Sequence, residues 1–232
     1  SSVCRIDGDE GRHAAAVKRL RVGEPVDVCD GRGSRGTGTV LAVTKDTVDV
    51  RVLRVVTEPA DPVRFVVVQA LAKGDRADMA IEVLTELGVS DIVPWGAQYS
   101  VAKWDDDKTQ AKWQRIAREA SKQSRRSRIP AVHGVVTTSQ VARMVAEAQM
   151  ALVLHESARA SLADVPVPQR GEVLVIVGPE GGLAPGEVEM FEGAGGRVVR
   201  MGSTVMRTST AGAAALAVLA SRTAAWGARM QQ

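Results

Sequence analysis

The feature that most constrains this fold is a regular alternation, after about residue 60, of short apolar runs and segments with helical periodicity. Residues 65–71, 150–154 and 173–177 are almost wholly apolar, as in strands that are buried on both faces of a sheet. Shorter strands are predicted at 91–94 and 197–201, and helices at 78–87, 107–124, 185–193 and 210–226. This alternation predicts a mostly parallel sheet covered by helices on both faces, which is an α/β fold.

Residues 26–56 have a different texture, which is typical of antiparallel β-structure. Three segments rich in valine and threonine alternate apolar with polar residues and are separated by turns, at 26–29, 39–44 and 47–56. A short helix is predicted before them, at 13–21. One helix and several strands in so short a stretch predict a small barrel. The segment 58–62 contains two prolines and breaks both periodicities, so we predict domains at 1–60 and 61–232.

Cysteine usage and apolar run length exclude several classes of protein. Cys4 and Cys29 lie too far apart for a CxxC motif and are too few for a disulfide scaffold or a zinc cage, so we expect no metal and a reducing compartment. The longest apolar helix candidate, 211–220, is too short to cross a membrane. The chain starts without a basic and apolar leader, which predicts no signal peptide and a cytoplasmic location.

The distribution of charge is more informative than the net charge of +3. Between residues 112 and 128 there are seven basic residues and one acidic residue, Glu119, and the basic residues fall at helical spacing on one face. Because the chain has few aromatic side chains for base stacking, an RNA partner would be held mainly through phosphates. The stripe is either a phosphate track or a solvated face. The candidate RNA contacts are Arg21, Arg32, Lys122, Arg125, Arg126 and Arg128.

The stretch 31–36 matches the G-x-G-x-x-G pattern of dinucleotide-binding proteins, but we reject that interpretation. The fingerprint needs a helix after the glycines, because the helix N-terminus binds the pyrophosphate. Here a β-pattern follows instead. The sequence therefore predicts a glycine-rich hairpin turn with two arginines at its tip.

Two later loops follow predicted strands and precede predicted helices, where ligands bind in α/β sheets. The first, 178–182, has three glycines and a proline, which is more than a tight turn requires and lets the backbone approach a ligand closely. The second, 201–211, is rich in small hydroxyl residues and contains Arg207 and Thr208. Thr208 suits a helix cap, whereas the charge of Arg207 opposes the helix dipole and suggests that it faces an anion.

These loops carry a resemblance to a known family. Gly178-Pro179-Glu180-Gly181-Gly182, followed by Met201-Gly202 and by Val205-Met206-Arg207-Thr208, resembles the signature of the RsmE-type 16S rRNA uracil-N3 methyltransferases of the SPOUT superfamily. Further matches occur in order along nearly the whole chain, at His13, Leu20-Arg21, Gly23, Asp30-Gly31, Gly33, Lys73-Gly74, 85–89, Pro94, Trp113, Glu119-Ala120, Gln123-Ser124, Arg126 and Pro130. The chain departs from the family at Ser209, where the family usually has glutamate, and lacks the family's usual opening.

The resemblance implies a fold, a cofactor and a substrate. The fold would be a small PUA-like, RNA-binding β-barrel followed by a SPOUT α/β methyltransferase domain with a C-terminal trefoil knot, in a homodimer. The substrate would be a decoding-region uridine in the 16S rRNA of the small ribosomal subunit, with no membrane partner. S-adenosylmethionine would be held by Leu154, His155, Glu156, Val177, Gly178, Pro179, Glu180, Gly181, Gly182, Met201, Gly202, Val205, Met206, Arg207 and Thr208.

The implied chemistry gives Arg207 a catalytic role. Uracil N3 must lose its proton before it can attack an electrophilic methyl group, and a fixed guanidinium would stabilise the resulting anion. A helix cap or a phosphate contact are the alternatives for Arg207. Glu180 and His155 are both candidates for the proton acceptor. Two other functions stay open, namely a SPOUT enzyme acting on another RNA site, such as a ribose 2′-hydroxyl, and a catalytically silent RNA-binding or assembly protein.

Overall fold

The computed structural model describes residues 2–227, in which the chain divides into two units. The first unit comprises the residues up to Ala60 together with Arg126–Arg128. The second unit comprises Asp61–Arg125 and the residues from Ile129 onward. The return of three residues to the first unit, from a position far along the chain, was not predicted from the sequence.

The first unit is built on a four-stranded antiparallel sheet. Its elements are strand β1 (Ser2–Ile6), helix α1 (Gly8–Arg12) with a π-helical turn (His13–Val17), and strands β2 (Pro25–Cys29), β3 (Ser34–Val43) and β4 (Val48–Thr57). The strand order is β1-β4-β3-β2, and every neighbouring pair is antiparallel. Alternate valines of β4 point inward together with Val40, and Ala14 and Ala15 of the helical segment pack on them, as does Leu20, which follows that segment.

The sheet of the first unit is open in its hydrogen bonding, which the predicted barrel did not specify. Strands β1 and β2 lie at the two edges, and within residues 2–227 no ladder joins them, so hydrogen bonds between strands do not close the sheet. Four strands are too few to close around their own side chains, and the helical segment covers the open face instead. That helix also begins earlier than predicted and ends at Val17, partly as a π-turn, and strand β1 was not predicted.

The glycine-rich stretch 31–36 forms a hairpin turn, as predicted, and leads into β3. The Asp30 carboxylate accepts hydrogen bonds from the backbone N–H groups of Arg32 (2.7 Å) and Ser34 (2.9 Å). These bonds stabilise the ionised carboxylate and hold the pKa of Asp30 below its ordinary value. The absence of a following helix confirms that this stretch is not a dinucleotide fingerprint.

The returning residues Arg126–Arg128 are tied to this turn by hydrogen bonds. The N–H of Gly33 donates to the carbonyl of Ser127 (3.0 Å), and the Ser127 hydroxyl donates to a carboxylate oxygen of Glu58 (2.5 Å). The Arg128 guanidinium donates to the carbonyls of Arg32 and Glu58. Because two backbone carbonyls already engage it, we remove Arg128 from the set of residues proposed to contact phosphates.

The second unit contains a seven-stranded parallel sheet with helices on both faces. Its strands are β5 (Val63–Ala70), β6 (Asp91–Trp95), β7 (Ala131–Val132), β8 (Met150–Leu154), β9 (Ala160–Ser161), β10 (Gly171–Val177) and β11 (Arg197–Arg200). Its helices are α2 (Asp75–Glu86), α3 (Asp106–Gln123), α4 (Thr138–Glu147), α5 (Pro185–Gly193), α6 (Thr208–Ala220) and α7 (Ala224–Gly227), with a 3-10 turn at Leu162–Asp164. The strand order is β7-β6-β5-β10-β8-β11-β9, and every ladder is parallel, which confirms the α/β prediction.

The side chains of β5 show why the sheet needs two helical layers. Phe65 and Val67 point to one face, where they join a cluster with residues of α2, α3 and α6. Val66 and Val68 point to the other face, where they join residues of α4 and α5. All four are buried, so both faces of β5 are covered. Helix α4 was not predicted, and the predicted helix 210–226 instead begins at Thr208 and ends at Ala220.

A charged cluster lies at the amino-terminal edge of this sheet. The Arg64 guanidinium contacts the carboxylates of Asp91 (2.6 Å) and Glu172 (3.0 Å), and His133 Nε2 lies 2.8 Å from Asp91 Oδ1. Burial raises the pKa of Asp91, but hydrogen bonds from His133 and Arg64 outweigh burial and hold that pKa below its ordinary value. The cluster thus joins β5, β6, β10 and the residue that follows β7.

We expect the stability of the wild type relative to a His133→Asn variant to fall as the pH rises from about 6 to about 8. The hydrogen bond with Asp91 raises the pKa of His133 above its ordinary value of 6.5. A raised pKa in the folded state stabilises the fold fully below the unfolded value, and this contribution is lost as the pH passes the folded value. Because the His133 ring is half exposed, we expect this pH-dependent contribution to the free energy of unfolding to be less than about 1 kcal/mol. Urea denaturation of both proteins at several pH values measures the difference between their free energies of unfolding. A difference that stays constant with pH would contradict the prediction.

Residues 2–227 lack three features that would change the class of the protein. No helix there is both long and apolar enough to cross a bilayer. No group of three or more metal-binding side chains occurs in the same part of the chain. Cys4 and Cys29 are not joined by a disulfide.

Candidate active site

Strands β10, β8 and β11 are neighbours in the sheet, so the loops that follow them meet at its carboxyl-terminal edge. These loops line a pocket of about 460 Å³. The structure brings all fifteen predicted cofactor-binding residues to this one pocket. Four further residues line the pocket but were not predicted to bind the cofactor, which are Arg76, Leu183, Thr204 and Ala211. All of these residues belong to the second unit.

The loop after β10 is a tight turn packed against its surroundings. The N–H of Gly182 donates to the carbonyl of Pro179 (2.9 Å), and Gly182 has a φ of +77°, which favours glycine. At Gly181, a side chain would place its Cβ 2.9 Å from the Cβ of Tyr99. The glycines therefore allow the turn to lie close to the loop after β6 while its backbone lines the pocket.

We expect a Gly181→Ala variant to bind S-adenosylmethionine, the cofactor that the resemblance implies, about tenfold more weakly than the wild type, which corresponds to ~1.4 kcal/mol. The added methyl group meets Tyr99 at less than contact distance, so the turn must shift away and displace the pocket wall. Gly186→Ala is the matched control, because an added Cβ there meets nothing within 4 Å. Isothermal calorimetry compares the two. Equal affinities in both variants would show that the position of this turn does not control cofactor binding.

The end of the loop after β11 is joined by hydrogen bonds to the loop after β10 and to strand β5. The Thr208 hydroxyl donates to the carbonyl of Gly178, and the buried Gln69 side chain donates to the carbonyl of Thr208 (3.4 Å). Two apolar side chains of this loop are largely exposed where they line the pocket, Val205 at 77% and Met206 at 45%. They are not core residues, and exposed apolar groups in a pocket suit contact with a planar ligand.

Arg207 occupies the cap position of α6 through its backbone. Its carbonyl accepts hydrogen bonds from the N–H groups of Thr210 and Ala211, both at 2.9 Å. Its side chain is exposed, lines the pocket and has no hydrogen-bond or ion-pair partner in residues 2–227. Thus the cap role belongs to the Arg207 backbone, which leaves the guanidinium available to an anionic ligand.

The two candidate proton acceptors differ in their hydrogen bonds. His155 Nδ1 accepts a hydrogen bond from the N–H of Ser157 (3.1 Å), so the neutral ring carries its proton on Nε2. Glu180 has a carboxylate oxygen 3.7 Å from the Arg76 guanidinium. Both residues line the pocket, and both stay candidates for the proton acceptor. Ser209, which replaces the family's glutamate, is buried in the first turn of α6.

The predicted RNA contacts are distributed over both units. In the first, Arg21 and Arg32 are exposed, and Arg126 is partly buried. In the second, Arg125 is exposed and has a φ of +57°, and Lys122 forms an ion pair with Glu119 (2.6 Å). These residues stay predictions for RNA contact.

Helix α3 has the predicted amphipathic character. Trp113, Ala117 and Ala120 are buried on one face. On the other face, Lys112 forms an ion pair with Asp78 of α2 (2.6 Å), so one end of the basic stripe serves packing between helices. Arg118 is exposed, and within the described residues no ion pair involves it.

Two family models match this chain. The model described as RNA methyltransferase domain matches residues 59–220, which is more than half of the chain. The model described as RNA methyltransferase PUA domain matches residues 6–53.

Individual relatives agree with the family models. The chain is 42% identical to ribosomal RNA small subunit methyltransferase E of Mycobacterium bovis, over 98% of this chain and 89% of that protein. A methyltransferase from Legionella pneumophila, solved with its bound cofactor SAM, superposes with a TM-score of 0.89 at 30% identity, over 96% and 93% of the two chains. A ribosomal RNA small subunit methyltransferase E from Neisseria gonorrhoeae, bound to S-adenosyl methionine, has a TM-score of 0.86 at 26% identity, over 95% and 92%. This chain therefore belongs to the RNA methyltransferase family that includes ribosomal RNA small subunit methyltransferase E.

Proposed function

We propose that this RNA methyltransferase transfers the methyl group of S-adenosylmethionine to N3 of a decoding-region uridine in the 16S rRNA of the small ribosomal subunit. The names of its relatives support ribosomal RNA as the substrate and S-adenosylmethionine as the cofactor. The observation that carries the proposal is that the exposed guanidinium of Arg207 lines the same pocket as the glycine-rich turn after β10.

The residues of the pocket fit the cofactor. The turn 178–182 exposes backbone groups that can hydrogen-bond to an adenine and a ribose. Val205 and Met206 offer apolar surface for the adenine ring. The carboxylates of Glu156 and Glu180 line the pocket and suit the positive charge of a sulfonium and an amino group.

The residues of this chain then act mainly by positioning and by stabilising charge. When bound, S-adenosylmethionine supplies an electrophilic methyl group on its sulfonium. Arg207 binds the uracil ring as N3 loses its proton, because the resulting negative charge is spread over N3 and two carbonyl oxygens. Glu180 accepts that proton, since its carboxylate lies in the pocket and is partly exposed. The bond between the Thr208 hydroxyl and the Gly178 carbonyl keeps the two loops in register.

We also propose that residues 61–232, apart from Arg126–Arg128, form a SPOUT domain with a trefoil knot near its C-terminus. Strand β11 lies between β8 and β9, so it runs inside the stretch of chain that leaves β8 and returns at β10. The same stretch crosses the end of α6. Its Gln169 side chain donates to the carbonyl of Arg222 (3.0 Å), and its Val165 carbonyl accepts from the Arg222 guanidinium (3.4 Å). The passage of β11 inside the stretch of chain between β8 and β10 supports a knot.

The remaining parts of the proposal concern location and partners. Residues 1–60 act as a PUA-like RNA-binding domain, and the RNA contacts are Arg21, Arg32, Lys122, Arg125 and Arg126. The enzyme acts in the cytoplasm, where ribosomal subunits are assembled, and it works as a homodimer. Light scattering on purified protein measures the homodimer directly.

The decisive experiment compares assembled small subunits that lack the modification with naked 16S rRNA, each incubated with enzyme and labelled S-adenosylmethionine. We expect methyl transfer to assembled subunits, with 3-methyluridine identified by mass after digestion to nucleosides. A 2′-O-methylated nucleoside would assign the enzyme to another site. Folded protein that neither binds the cofactor nor transfers a methyl group would identify a silent RNA-binding protein.

A further inference from the structure

The pocket has a second guanidinium that the proposed mechanism does not use, which is that of Arg76. Arg76 is the second residue of α2 and lines the pocket together with the loops after β8, β10 and β11. It reaches the pocket from the segment after β5, and β5 is the neighbour of β10 in the sheet. Its side chain is 49% exposed, so the guanidinium lies between the pocket and solvent.

The position of Arg76 in its helix is unfavourable for a cation. The N-terminus of a helix carries partial positive charge, and a basic residue in the first turn is repelled by it. No side chain caps this end of α2, where Gly74 is the cap residue. Arg207 is the cap residue of α6, so both guanidinium groups of the pocket come from the start of a helix. Asp75 and Asp78 also lie in the first turn of α2 and offset part of the repulsion there.

The present partner of Arg76 is easily exchanged. Its guanidinium lies 3.7 Å from Glu180, which is longer than a direct hydrogen bond, and both side chains are partly exposed. An ion pair of this kind contributes little to stability. By contrast, a guanidinium binds phosphate through two parallel, charge-assisted hydrogen bonds. A phosphate that reaches the rim can therefore replace Glu180 at small cost.

We infer that Arg76 binds a backbone phosphate next to the target nucleotide and exchanges its contact with Glu180 for that phosphate. This inference rests on the proposed function, because a nucleotide that enters the pocket carries its phosphates to the rim. The exchange leaves the Glu180 carboxylate without its cation and available to accept the proton of N3. Arg76 is thus a substrate-binding residue, and phosphate binding is coupled to the freeing of the proton acceptor.

The test compares Arg76→Ala and Arg76→Lys with Arg143→Ala, a control on the exposed face of α4 outside the pocket. For Arg76→Ala we expect the KM for RNA to rise about tenfold to a hundredfold, as the loss of one charge-assisted phosphate contact implies. The dependence of log K on log salt for RNA binding should weaken by about one unit. S-adenosylmethionine binding, measured by calorimetry, should be unchanged. Arg76→Lys should recover most of the RNA affinity, because it keeps the charge.

Other outcomes overturn the inference. If Arg76→Ala loses cofactor affinity and keeps its KM for RNA, the anion is the carboxylate of S-adenosylmethionine. If the salt slope and the KM match those of Arg143→Ala, Arg76 only forms a surface ion pair. The salt slope is measured without catalysis, so it reports on Arg76 even if the wild type proves to modify a different atom. Failure of the wild type to form 3-methyluridine, by contrast, contradicts the proposed function.

Discussion

An Arg207→Ala enzyme is expected to bind S-adenosylmethionine as the wild type does and to lose methyl transfer by about a hundredfold to a thousandfold in kcat. The guanidinium has no partner among the described residues, so its removal leaves no buried group unpaired and disturbs no packing. The backbone of Arg207, which caps α6, is retained in the variant. The loss therefore falls on the step in which uracil N3 becomes negative.

Two further variants sharpen this prediction. Arg200→Ala removes an exposed arginine from the end of β11 that does not line the pocket, and it should keep normal turnover. Arg207→Lys keeps a positive charge but lacks the planar guanidinium group. Its turnover should lie between that of Arg200→Ala and that of Arg207→Ala. Single-turnover assays on assembled subunits separate methyl transfer from product release. Near-normal turnover by Arg207→Ala would remove the catalytic assignment.

A Glu187→Ala substitution is expected to lower the free energy of unfolding by about 3–5 kcal/mol. Glu187 is only 4% exposed, and its carboxylate accepts hydrogen bonds from the N–H of Gln98 (2.9 Å), the hydroxyl of Thr138 (3.1 Å) and the N–H of Ala184 (3.0 Å). Its removal leaves three donors without their acceptor, one in a buried position and two partly buried, and desolvated donors are costly. Urea denaturation measures the loss through the transition midpoint.

The control for this variant lies on the same helix. Glu189→Ala removes an exposed carboxylate from α5 and should change stability by no more than about 0.5 kcal/mol. The stability of Glu187→Gln should lie between those of the wild type and Glu187→Ala, because an amide keeps the shape of the side chain but presents an NH₂ group to one of the donors. If the Glu187→Ala and Glu189→Ala proteins unfold at the same urea concentration, the three hydrogen bonds carry little of the stability.

Sequence analysis could predict those parts of the candidate site that depend on residues close together in the chain, but not those that depend on the order of strands in the sheet. The residues after β8 came from the family resemblance, and the loops after β10 and β11 could be predicted, because each follows a predicted strand and contains glycine. Arg76 could not, because its place in the pocket depends on β10 lying beside β5, a neighbour far away in the sequence. Local periodicity carries no information about that order.

The same distinction applies to the fold, where helix boundaries depend on neighbouring residues and contacts between elements depend on residues far apart in the chain. Helix α4 had a local signal that was overlooked, since Thr137 and Gln140 form a capping box at its start. The end of α6 had a weaker signal, because the apolar pattern continues beyond Ala220 while the Thr223 hydroxyl bonds back to the Ala220 carbonyl. The contact of Arg128 with the hairpin had no signal at all. It joins residues that lie almost a hundred positions apart.

The three residues Arg126–Arg128 make the N-terminal unit discontinuous in the gene. A fragment that stops at Ala60 would leave the N–H of Gly33 and the carboxylate of Glu58 without the acceptor and the donor that Ser127 supplies. Such a fragment should be less stable than the same unit within the whole chain. Recombination between relatives, or domain exchange by engineers, must therefore carry this tripeptide along with the N-terminal residues to transplant a complete module.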